Sequence, residues 1–121
     1  MNVRSGFQVR VIEAYQAPYP DPIQARAGDE VTIDWNKGTD IPGWVWCTNQ
    51  AGKSGWAPTA YIDLQGSAGK MRCDYSAIEL TIRVGEILTV HKAESSFYWV
   101  TNPAGQLGWV PMANVERLME E

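Results

Sequence analysis

The sequence predicts an all-β protein built as two small β-barrels in tandem. Three observations carry that reading: an internal repeat, a matched pair of hairpin turns, and no helical periodicity before residue 112. The repeat comes first. GWVWCTNQAGKSGWAPTAYIDL (43–64) lies over SFYWVTNPAGQLGWVPMANVER (96–117) without a gap, at an offset of 53, with 9 of 22 positions identical. Upstream, Gly28-Asp29 answers to Gly85-Glu86 and Tyr15 to Tyr75, with altered loop lengths. Two homologous units follow, expected at 6–65 and 70–119. Small polar residues in Gln65-Gly66-Ser67-Ala68-Gly69 suit a linker between them.

Each unit reads as β. Val9–Ile12, Glu30–Ile33, Glu79–Ile82 and Glu86–Val90 are rich in β-branched residues at strand length. The turns are the strongest local signal. In Asn102-Pro103-Ala104-Gly105, Pro supplies the fixed φ of a type I turn and Gly the left-handed bulge position. Asn49-Gln50-Ala51-Gly52 is the same turn without the Pro. This register sets Trp46 opposite Trp56 and Trp99 opposite Trp109. Such cross-strand aromatic pairs contribute about 0.5–1 kcal/mol. Short sheets must also protect their edges, and closing into a barrel does so. The expected core is Val11, Ala25, Val31, Ile33, Val45 or Cys47, Ala57 and Ile62 in the first unit. In the second it is Ile82, Ile87, Leu88, Val90, Val100, Val110 and Val115.

Composition narrows the function. The chain has 121 residues, 45% hydrophobic and 20% charged, which is globular. The formal charge of −4 is shared evenly, with 5 basic and 7 acidic groups in each of 1–65 and 66–121. Without a basic stripe there is no means of holding phosphate backbones or anionic lipid, so neither nucleic acid nor membrane is an expected partner. One His and no GxGxxG, GxxxxGK or HExxH leave no base–nucleophile or metal set to assemble. No enzyme activity, cofactor or metal is expected. MNVRSGFQVR lacks a hydrophobic signal core, so a cytoplasmic address is expected. Two Cys in that setting do not make a disulfide framework. Cys47 reads as a small buried thiol, and a bond to Cys73 would cross the two units.

Motifs in order, and twice over, resemble those of the SH3 domains. Val11-Ile-Glu-Ala-Tyr15 stands for the family's ALYDY strand, and Ile23-Gln-Ala-Arg-Ala-Gly28-Asp29 for its "LSF..GD" segment. Trp44-Val-Trp-Cys47 stands for "WWxA", and Gly55-Trp-Ala-Pro58-Thr-Ala-Tyr61-Ile62 for "GYIPSNYV". Cys73-Asp-Tyr75, Glu79–Glu86 and Gly108–Val115 hold the same places in the second copy. Such divergent pairs look like the variant SH3 proteins of prokaryotes.

The resemblance implies a non-enzymatic module that binds a protein or peptide, Pro-rich segments included. A polyproline II ligand is preformed, and its rings pack between parallel aromatic side chains. Position by position, the first groove would be Tyr15, Trp44, Pro58 and Tyr61. The second would be Tyr75, Phe97 and Pro111, eroded because Asn114 replaces a wall Tyr and Phe97 has no indole N–H. Ala17-Pro18-Tyr19-Pro20-Asp21-Pro22 is a stiff, extended loop. There Tyr19 would extend the aromatic surface and Asp21 would receive a ligand cation. The long loop before Trp44 could add Asp40. The first unit is therefore the expected peptide binder, in a chain that is a monomer or weak dimer. Two other readings compete. Trp-rich faces also suit a structural docking or dimerisation subunit of a larger complex. Asn2–Gly6 and Gly52–Ala57 look similar to bacterial cell-wall SH3b modules.

Overall fold

A computed structural model describes residues 6–39 and 41–118. They form twelve strands: β1 (Phe7–Val11), β2 (Gln24–Ala25), β3 (Glu30–Asp34), β4 (Trp44–Asn49), β5 (Ser54–Pro58), β6 (Ile62–Gln65), β7 (Ala68–Met71), β8 (Tyr75–Ser76), β9 (Ile87–Glu94), β10 (Phe97–Thr101), β11 (Leu107–Pro111) and β12 (Val115–Arg117). Two 3-10 turns, Thr59–Tyr61 and Met112–Asn114, follow β5 and β11. Among the described residues there is no α-helix, and none is long and apolar enough to cross a membrane.

Two compact units result, but they do not divide the chain at 6–65 and 70–119. Tyr19–Ile78 is one unit; the segment ending at Pro18 joins the segment starting at Glu79 in the other. The cause lies at the expected linker. β6 and β7 pair Gln65 with Ala68, so Gly66 and Ser67 are the two central residues of a hairpin. Gly66 has φ +63, which a two-residue turn with a left-handed first position requires and a side chain would resist. The chain therefore turns straight back. β7, the repeat equivalent of β1, is laid on the sheet of the copy it follows.

In Tyr19–Ile78 the large sheet runs β5-β4-β3-β7-β6, and β2 pairs with β8. Val31 and Ile33 of β3 point inward and their neighbours outward, the period-two pattern of a half-buried strand. The expected core residues of this copy are buried, with Val45 and Cys47 both inside, except that Val11 has gone elsewhere. Gly69 permits the close seating of β7. A Cβ there would lie 2.5 Å from Ile62 Cγ2.

The other unit has the sheet β11-β10-β9-β1-β12. β1 is central: Val9 pairs with Leu88 of β9 on one side and Arg117 of β12 on the other. Val9 and Val11 pack with Leu80, Ile82, Leu88, Val90, Val100, Val110 and Val115. Ile87 is only half-buried. Glu79–Ile82 forms no strand, only isolated bridges of Glu79 to Trp109 and of Tyr15 to Ile82. The exchange is reciprocal. Tyr15 bridges Ile82 here, and its equivalent Tyr75 pairs with Ala25 in the Tyr19–Ile78 unit. Each copy's first strand thus completes the other copy's sheet.

The predicted hairpins form as read. Gly52 N–H donates to Asn49 O at 3.0 Å with φ +83, and Gly105 N–H to Asn102 O at 2.9 Å with φ +85. Each Asn side chain also accepts from the backbone two and four residues on, at 2.9–3.0 Å. Trp46 faces Trp56 and Trp99 faces Trp109 in register.

Candidate functional site

The strand exchange re-sorts the predicted ring sets. Trp44, Pro58 and Tyr61 stay together in Tyr19–Ile78, and Tyr75 replaces Tyr15 beside them. Trp44 and Pro58 are cross-strand partners on β4 and β5. Tyr61, on the 3-10 turn, meets Tyr75 edge to face at 5.7 Å between centroids. The Tyr75 hydroxyl donates to the Trp56 carbonyl at 2.6 Å. Trp44 is 9% exposed, Tyr75 6%, and Pro58 is fully buried. A ring must offer one open face to stack on a ligand, and only Tyr61 of these four is half-exposed.

Tyr15, Phe97 and Pro111 gather in the other unit, and all three are half-exposed. Phe97 and Pro111 are cross-strand partners on β10 and β11. Tyr15 is tied to both flanks of that proline corner. Its hydroxyl donates to the Glu79 carboxylate, and Glu79 bridges Trp109 two residues before Pro111. On the other flank, Asn114 Nδ2 donates to the carbonyls of Glu13 and Ala14 at 3.1 and 3.2 Å. Asn114 does not merely lack a ring; it anchors the segment that carries Tyr15. Burial raises the Glu79 carboxyl above its ordinary value, and the bond from Tyr15 partly opposes that rise.

The loop residues also find partners. Tyr19 packs on Trp46 at 5.2 Å between centroids. Asp21 pairs with Lys53 of its own unit, so a ligand cation would have to replace an exposed internal ion pair. Asp40 lies outside the described residues. Cys47 and Cys73 share one compact unit, and both are free thiols. Burial pushes the Cys47 thiol up to about 11, which makes it inert at neutral pH.

Sequence reasoning missed two features. Glu79 is one; a lone Glu before an apolar strand gives no signal that it will meet a tyrosine 64 residues away. Lys37 is the other, with its ammonium 4.2 Å from the Trp46 ring centroid and 5.8 Å from that of Trp56.

Comparison with protein families finds a variant SH3 domain at residues 9–65. SH3-type domains are generally non-catalytic protein-interaction modules, and no enzyme family is indicated. The matched segment begins inside β1 and ends on the last residue of β6, so it draws on both compact units. No curated protein and no solved structure matches the chain.

Proposed function

We propose that this chain is a non-catalytic module that binds an extended, proline-containing peptide, and that Tyr15, Phe97 and Pro111 accept it. The observation that carries the reading is exposure. These three rings are half-exposed, whereas Trp44, Pro58 and Tyr75, their counterparts in the Tyr19–Ile78 unit, are buried. That favours Phe97 and Pro111, from the groove that the sequence ranks as the more eroded, with Tyr15 of the other predicted groove in place of Tyr75. Ligand proline rings would pack against Phe97 and Pro111, with Tyr15 as the far wall. Its hydroxyl donates to Glu79, which fixes the ring's orientation. So shallow a surface fits an affinity on the order of micromolar.

Amide-shift mapping of the chain against a Pro-rich peptide library tests this. Perturbations should cluster on Tyr15, Phe97 and Pro111, and Phe97→Ala should weaken binding by about tenfold or more with an unchanged spectrum elsewhere. Perturbations centred on Trp44 and Tyr61, or none with any peptide, would refute the assignment.

A further inference from the structure

The cross-strand tryptophan pairs differ between the two units in what faces them. In Tyr19–Ile78, Trp46 and Trp56 stand at 75° with centroids 5.2 Å apart. Tyr19 closes a third side, tilted 57° to Trp46. All three rings are half-exposed. The residue directly opposite Trp46 on β3 is Asp34, and directly opposed side chains project to the same face. A carboxylate therefore stands beside a three-ring corner. The chain fills the corner with a cation of its own. Asp34 ends β3, the Asp34 carboxylate accepts from Asn36 N–H at 3.0 Å, and the turn carries Lys37 back over the indoles.

In the other unit the residue opposite Trp99 is Lys92 of β9. Its ammonium lies 5.9 and 5.6 Å from the centroids of Trp99 and Trp109. That cation is part of the ladder itself, and no carboxylate holds the equivalent position. The Tyr19–Ile78 corner has the opposite arrangement, with a fixed acid in the strand and an exposed cation in the loop.

We propose that Tyr19, Trp46 and Trp56 form a binding site for a weakly hydrated organic cation on a partner chain, a methylated lysine or an arginine. Lys37 is its internal occupant. The physical reason is hydration. Ring faces attract any cation, but a bare ammonium gives up strong hydration to reach them. Methylated ammonium and guanidinium groups give up less. Lys37 thus fills the corner weakly and yields to a better cation, while Asp34 adds a charge that holds whichever cation occupies it. The site shares no residue with Tyr15, Phe97 and Pro111 and does not depend on the peptide reading.

Tryptophan emission of the whole chain, titrated with tetramethylammonium, with acetyl-arginine amide and with acetyl-lysine amide at constant ionic strength, tests it. The first two should quench or shift the emission at lower concentration than the lysine amide. Lys37→Ala should tighten their binding roughly tenfold by removing the competitor. Adding Trp46→Leu to Lys37→Ala should abolish the response. Lys37 is exposed, so its variant keeps the fold, and that arm decides alone if Trp46→Leu unfolds. Equal affinities in the native and Lys37→Ala chains, no response in Lys37→Ala, or a lysine amide as effective as the other probes would overturn the assignment. Between the two favoured probes, the tighter one identifies the partner group as methylated lysine or arginine.

Discussion

The two compact units answer the same repeat with opposite surfaces. Tyr19–Ile78 keeps the fuller set of rings, Trp44, Pro58, Tyr61 and Tyr75, yet buries three of the four. The unit completed by β1 keeps the poorer set, Tyr15, Phe97 and Pro111, and leaves all of it half-exposed. Aromatic inventory is therefore a poor guide to recognition. A ring counts toward binding only where its face is open, and neighbours in space decide that.

The comparison breaks first at β1. Val9 is fully buried between β9 and β12 and has no role in Tyr19–Ile78. Val9→Asp buries an unpaired charge, and a loss of about 4 kcal/mol or more is expected from that unit. Hydrogen exchange should show β9 to β12 unprotected while β3 to β7 stay protected. Had the units been divided in line, β3 to β6 would lose protection instead.

A smaller effect is expected at the hairpin that enforces the exchange. Gly69→Ala puts a methyl group within 2.5 Å of Ile62 Cγ2, on the branched carbon of a buried side chain that cannot swing aside. Overpacking of this kind costs about 1–3 kcal/mol. Denaturant unfolding should place the loss in Tyr19–Ile78, and adding Gly69→Ala to Ile62→Ala should cost less than it does in the native chain.

The smallest effect is the pH dependence carried by Glu79. Its folded carboxyl titrates above the ordinary glutamate value because burial disfavours the charge. Between those two values the folded state holds more protons than the unfolded one. Stability from this group is therefore highest below the ordinary value and declines as pH rises through the folded one. Glu79→Gln should remove that decline from a plot of urea midpoint against pH. A decline of equal size in the variant would assign it to other groups.

Much of this is legible in the sequence. The two Asn-x-Ala-Gly turns, the indole pairs and most of the strand core follow from turn chemistry and strand alternation, which act over a few residues; the burial of Val9, Ile23, Trp44, Met71, Tyr75, Ala77, Leu80 and Trp109 does not. Lys37 over Trp46 was not legible, since it depends on how one long loop starts. The closure of the Trp44 set was not legible either, because burial of an outward-facing ring depends on residues far along the chain.

The sequence alone determined two β copies, their hairpins and their aromatic content, because hydrogen-bonding turns and period-two patterns are local properties. Which sheet receives each first strand was decided only in three dimensions. Alternation alone lets either sheet accept either strand, although Gly69 of β7 stands where β1 has Val9, and a Cβ at 69 would strike Ile62. A two-residue hairpin at Gly66, with no slack to reach the next copy, breaks that tie and sends β7 back and β1 across.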